Sequence, residues 1–90
     1  MITALGGGVG AAKFLEGLSD VISGENLSVV LNTGDDIVLH GLRISPDIDT
    51  IIYRLTGMID VNKGWGVGGD TFSCLSALSR FGSETWFNIG

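Results

Sequence analysis

The spacing of apolar positions changes several times along the chain, and each change marks an element. Met1 to Leu5 is a short apolar run ended by glycines, which predicts a buried strand. Past the glycines, Ala11, Phe14 or Leu15, Leu18 and Ile22 recur at helical spacing, so residues 10–22 read as a helix. Ser23-Gly24-Glu25-Asn26 is a turn, and Leu27 to Leu31 (LSVVL) is a second apolar run of strand length. Strand, glycine loop, helix, strand is a βαβ unit, whose strands should be parallel with a right-handed crossover.

Asn32 to Ile44 lacks a clear period and reads as a loop. Ser45-Pro46-Asp47 then opens a helix, with Ser as N-cap, Pro at the first helical position and an acid in the first turn. Ile48, Ile51, Ile52, Leu55 and Ile59 fall on one face of it. Asp60 to Gly69 is a second glycine-rich loop. Asp70 or Thr71 starts a third helix, apolar at Phe72, Leu75, Leu78 and Phe81 and stopped by Gly82. Thr85 to Ile89 (TWFNI) predicts a third strand. The expected class is α/β, a Rossmann-like parallel sheet with flanking helices. Three strands are few for such a sheet. Ligands of open α/β sheets sit beyond the carboxyl ends of the strands, where the third strand would deliver its loop. Residues 1–90 are therefore expected to be an incomplete N-terminal portion of a larger domain.

Composition narrows the function classes. Ninety residues allow one domain, and 44% apolar content argues against disorder. The 15 glycines, against an average usage of about 7%, cluster in loops, as backbone-built binding sites require. A net charge of −5 argues against non-specific nucleic-acid binding, which needs a basic footprint. It leaves phosphate ligands open, because a metal ion inverts local charge. One cysteine provides neither a disulfide framework nor a cysteine zinc site. The N-terminus has no basic segment of the signal-peptide kind. No apolar run approaches the ~18 residues a membrane span needs. A cytoplasmic protein with no membrane partner is expected.

Two loops carry candidate chemistry. Gly6-Gly7-Gly8-Val9-Gly10-Ala11 fits G-x-G-x-x-A between a strand and a helix. Glycines let the backbone approach a phosphate, and the helix N-terminus offers free N–H groups and a positive dipole end. Gly7, Gly8 and Gly10 are the candidate phosphate contacts, and Lys13 could add a charge. The plainer alternative is a tight turn without a ligand. Asp35 and Asp36 follow the second strand. A dinucleotide-binding protein needs one acid there for a ribose; two suit Mg²⁺ better, since it takes one or two carboxylates and fills its other positions with phosphate and water. The plainer alternative is an Asx-type turn bent at Gly34.

Asp47 and Asp49 lie about 200° apart on the helix, so they cannot face one ion along the same line. Asp47 is explained by its place in the first turn. Asp49, on the side of Tyr53, is the stronger site candidate. His40 defaults to loop surface, with a base or ligand role as the alternative, and Arg43 could meet phosphate. Trp65, framed by glycines, could stack on a flat ring or fold back as core. Asp70 reads as an N-cap, and Cys74 as a small buried residue.

Taken together, GGGVGAAKFLEGL, NTGDD, HGLRISPDIDT, GWG, DTF and WFNIG resemble the N-terminal part of the 2-phospho-L-lactate transferase (CofD) family over nearly the whole chain. NTGDD followed by ISPDIDT is the specific part. The resemblance implies a transferase of coenzyme F-420 biosynthesis. A ribityl hydroxyl of 7,8-didemethyl-8-hydroxy-5-deazariboflavin would attack the phosphate next to the lactyl or enolpyruvyl group of a guanosine diphosphate derivative. GMP would leave, with Mg²⁺ required. Asp35 matches the family's metal-linked acid, with Asp36 beside it. Asp49 and Asn88 match positions associated with the deazaflavin. Gly7, Gly8 and Gly10 would line the phosphate side, and Asp35 or Asp49 would be the base. Members run roughly three times longer, and a homodimer is an allowed assembly. Two readings compete: a nucleotide-binding regulator of the related gluconeogenesis-factor-like branch, and an NAD-type module.

Overall fold

The computed structural model describes residues 1–88 and has the expected α/β architecture. Strand β1 (Ile2–Gly6) pairs in parallel with β2 (Leu27–Leu31), in register from Ile2 against Leu27 to Gly6 against Leu31. Helix α1 (Gly8–Val21) makes the crossover, and a 3-10 turn over Gly24–Asn26 returns the chain to β2.

Helix α2 (Pro46–Thr56) packs along α1. Ala12 and Leu15 of α1 and Ile51 of α2 are buried where they meet, with Ala4, Ala11, Leu18, Val29 and Leu31 packed around them. Burying a side chain like Leu15 contributes about 2 kcal/mol. The sheet thus meets this core through Ala4 on β1 and Val29 and Leu31 on β2. Leu5 and Val30 alternate to the other face, where they are 79% and 55% exposed. The strands were expected to be buried; among the described residues they are covered on one face only. A continuous apolar run does not reveal which of its two faces is covered.

The segment expected as loop, Asn32–Ile44, contains a hairpin. Strand β3 (Ile37–Leu39) pairs antiparallel with β4 (Leu42–Ile44), Ile37 opposite Ile44 and Leu39 opposite Leu42. The connection is His40-Gly41, with φ of 52° and 75°. Positive φ at both central residues marks the two-residue type I′ turn, whose twist matches that of the strands it joins. His40 is therefore a turn residue. The short strands bury Leu39 and Ile44 and leave the other positions open, a pattern too brief to show a period.

Gly57, at φ +76°, closes α2, so Ile59 lies beyond the helix and not on its stripe. Ile59 is buried and bridges to Val67 across the second glycine loop. Helix α3 (Ser73–Arg80) starts two or three residues later than expected. Asp70 Oδ1 accepts the Phe72 N–H at 3.1 Å, which turns the chain into the helix without making Asp70 its cap. Gly82, at φ +71°, stops α3 as expected. Cys74 is exposed and not buried. Trp86 and Phe87 form a bend, with Thr85 and Asn88 irregular, in place of the expected third strand, and Ile89 lies outside the described residues. β-rich composition alone does not make a strand without a neighbour to pair with.

Candidate functional site

The glycine loop, the end of β2 and the start of α2 converge. The Asn32 N–H donates to Gly6 O at 3.1 Å and extends the parallel ladder by one bond. A Cβ at Gly6 would lie 2.9 Å from Ala11 Cβ, so glycine is what lets the first turn of α1 settle on β1. A Cβ at Gly7 would lie 2.8 Å from Asp47 Oδ2 and 3.1 Å from Asn32 Cβ. Gly8 has φ +80°, a conformation that strains other residues. The loop thus has the close approaches and the left-handed corner of a phosphate loop. The carboxylate of Asp47 stands at its mouth. Gly10 faces open space, and Lys13 is exposed on the second turn of α1, outside the pocket described below.

Asn32 also orders the acidic turn. Its Oδ1 accepts the Gly34 N–H at 3.0 Å, and its Nδ2 donates to Asp47 Oδ2 at 2.9 Å. Asp35 is exposed at the tip of the turn. Asp36 points inward, its side chain only 10% exposed. The Ser45 hydroxyl donates to Asp36 Oδ2 at 2.8 Å, and Arg43 Nη2 lies 3.5 Å from the same oxygen. Ser45 stands at the N-cap of α2 as expected, but this hydroxyl bond replaces the capping bond. Asp36 Oδ1 is buried without a hydrogen-bond partner. An orphaned carboxylate oxygen beside an exposed acid is a donor set that fits a hard cation finishing its shell with phosphate and water. Among the described residues, no group of three or more His, Cys, Asp or Glu gathers into a metal cage.

Next to this turn lies a pocket of about 400 Å³. One wall comes from α2 and its start, through Pro46, Asp49 and Tyr53; the other is aromatic, through Trp65 and Phe72. Asp70, Phe87 and Asn88 also line it. Burial pushes the Asp49 carboxyl above its ordinary range, and the charge of Asp36 adds to the rise. Tyr53 is raised as well, by burial first and then by Asp49 and Asp70. Tyr53 therefore keeps its proton at neutral pH and can donate a hydrogen bond. Asp49 has a raised proton affinity in a partly shielded site, the property of a general base.

Of the residues singled out from sequence, Asp49 and Asn88 share this pocket, and Asp36 acts on Asp49 electrostatically. Trp65 is on its wall. Asp47, two residues from Asp49, faces the glycine loop instead, so the two acids divide between the two halves of the site. Arg43 pairs with Asp36 and is otherwise in solvent. Sequence reasoning passed over Asn32, Ser45 and Phe72 as contributors. Only Asn32 carried a signal, as an Asx residue two positions before the bend at Gly34.

The family profile for the 2-phospho-L-lactate transferase CofD matches residues 2–85. A phosphoenolpyruvate transferase of Nocardia farcinica is 42% identical over 90 residues, covering 99% of this chain and 27% of that protein. A 2-phospho-L-lactate transferase of Methanococcus maripaludis is 39% identical over 89 residues, covering 99% of this chain and 29% of that protein. A phosphoenolpyruvate transferase of Thermobifida fusca is 42% identical over 98 residues, with 99% and 30% covered. The chain spans between 27% and 30% of the length of these curated relatives. The glycine loop, the Asp35–Asp36 turn and the Asp49–Tyr53 wall all lie within the matched span. The chain belongs to the 2-phospho-L-lactate transferase CofD family.

Proposed function

We propose that the full-length protein transfers a phospholactyl or phosphoenolpyruvyl group from a guanosine diphosphate derivative to a ribityl hydroxyl of a 5-deazaflavin, in coenzyme F-420 biosynthesis. The hydroxyl oxygen attacks the phosphorus next to the three-carbon group. The bridging P–O bond breaks, GMP leaves with the bridging oxygen, and the hydroxyl proton passes to a base. The names of the related transferases support the reaction class. The observation that carries the assignment is the pocket: Asp49, with raised proton affinity, faces Trp65 and Phe72 across a space of about 400 Å³. That space suits a flat ring system with an attached polyol.

In this reading the aromatic wall takes the deazaflavin ring by stacking. Asp49 receives the hydroxyl proton, being inside the pocket where Asp35 is at the exposed turn. Asn88 orients the acceptor with its amide. The loop at Gly7 and Gly8 receives donor phosphate through its free backbone N–H groups. Asp35 and Asp36 would hold Mg²⁺, which when bound neutralises the diphosphate and the departing GMP. Asp36 is held for this by the Ser45 hydroxyl, and its free Oδ1 is the atom offered.

The test is transfer by the full-length protein, followed as GMP release with the deazaflavin present and absent. Release that depends on both the acceptor and Mg²⁺, lost in Asp35→Asn while the circular dichroism spectrum is kept, is the expected result. Full activity in Asp35→Asn refutes the metal assignment. Nucleotide binding without any transfer refutes the enzyme and favours a regulator.

A further inference from the structure

Lys63 lies between the two rings of the pocket's aromatic wall. Its Nζ is 4.6 Å from the Trp65 ring centroid and 4.5 Å from that of Phe72. Both are within the ~6 Å over which a ring face attracts a cation. On its other side the ammonium meets Asp60 Oδ2 at 3.8 Å. Asp60 Oδ1 accepts the backbone N–H of Asn62 at 3.1 Å and of Lys63 at 3.2 Å. One carboxylate thus shapes the turn that carries Lys63 and also fixes its head group.

The two rings belong to separate segments, and the backbone bonds that tie the Trp65 loop, such as Asp60 N–H to Gly66 O at 2.9 Å, do not fix the rings themselves. Trp65 sits between Gly64 and Gly66, at φ +78° and +71°. Phe72 is itself left-handed, at φ 54° and ψ 32°. That conformation is strained for a bulky side chain and persists only where its surroundings hold it. The Asp70 carboxylate secures its backbone at 3.1 Å. Its ring is secured by the cation that also holds Trp65.

We propose that Lys63 is a positioning residue: its ammonium clamps Trp65 and Phe72 into a preformed wall and so sets how tightly the pocket takes a flat ring system. The inference rests on the pocket being the acceptor site. Lys63 need not touch the acceptor. It removes the ordering cost that two loosely held rings would impose on binding. Its loss therefore falls on acceptor affinity and spares the chemical step.

Lys63→Met keeps the length and removes the charge; Lys63→Arg keeps a cation that stacks on rings. In the full-length protein, Lys63→Met is expected to raise the KM for the deazaflavin roughly 3- to 30-fold, with kcat changed less than about twofold. Lys63→Arg should recover most of that loss. A KM within twofold of wild type in Lys63→Met, or a fall in kcat at unchanged KM, overturns the proposal. A second measurement is independent of the reaction. The ε-methylene protons of Lys63 should resonate upfield of free lysine through the two ring currents, and move back in Trp65→Leu. Unshifted signals overturn the clamp. A wild type that turns over no deazaflavin defeats the assignment of the pocket, and the lysine signals still decide the clamp.

Discussion

Asn32 Nδ2 donates a 2.9 Å hydrogen bond to Asp47 Oδ2, joining the carboxyl end of β2 to the first turn of α2. Gly7 lies against this pair, and any side chain there would run into it. The end of the parallel sheet, the glycine loop and the start of α2 are therefore one unit, and the acidic turn hangs from it through the Asn32–Gly34 bond. The proposed function leans on that placement: the glycine loop and the acidic turn are both tied to the same asparagine.

Gly7→Ala should destabilise the protein, because the added Cβ would sit 2.8 Å from Asp47 Oδ2. The cost expected is about 1–3 kcal/mol, as for other overpacked sites. Asp47→Ala alone should cost about 1 kcal/mol for the lost bond from Asn32. Because Asp47→Ala also removes the clashing atom, the double variant should be less destabilised than the sum. Strict additivity in chemical denaturation would show that Asp47 is not what Gly7 accommodates.

Asp49→Asn should raise stability at neutral pH in the absence of metal. The folded-state pKa of Asp49 is raised by burial and by Asp36, above its unfolded value. Below the unfolded value, about 4, both states are protonated and Asp49 costs nothing. As pH rises through the folded pKa, the folded state must ionise a disfavoured carboxylate and stability falls. Asparagine has no such term. Melting curves in EDTA should therefore show the variant ahead of wild type at neutral pH, with the gap closing near pH 3. An unchanged gap across that range would refute the assigned cause. With Asp49 as the base proposed above, transfer activity should fall in the same variant, the usual trade between stability and activity at functional positions.

His40→Asn should leave transfer activity intact and raise stability by a few tenths of a kcal/mol. His40 occupies the first position of a left-handed two-residue turn, where Asn before Gly is the favoured choice. Loss of activity in that variant, with the fold retained, would return His40 to the list of ligands or bases.

Asp47 and Asp49 show how far sequence could reach. Their angular separation on a helix was enough to say that they face different ways. It could not say what each would face, because that depends on where α2 lies against α1. Asp47 looked fully explained as a first-turn acid, yet it is the side chain that limits Gly7. Ser45 looked like a capping hydroxyl, yet tertiary packing puts Asp36 within its reach and the hydroxyl bonds there. The β3–β4 hairpin was missed because three-residue strands have no measurable period. The third strand was expected from β-branched and aromatic content, which cannot supply a partner.

The sequence by itself determined the βαβ unit, the glycine loop that opens α1, the Pro46 start of α2 and the Gly82 stop of α3, while the Gly57 stop of α2 came from the structure. The sequence also determined the family, through NTGDD and ISPDIDT. These depend on local backbone conformation and on short-range spacing, which residue types state directly. Tertiary structure alone decided that Asp49 faces Trp65 and Phe72 across one pocket, that Asp36 keeps an unpartnered oxygen, and that Lys63 bridges two rings. Those relationships join residues from different elements. They arise from how α1, α2 and the glycine loops pack, and packing is set by the sum of many contacts that no single stretch of sequence encodes.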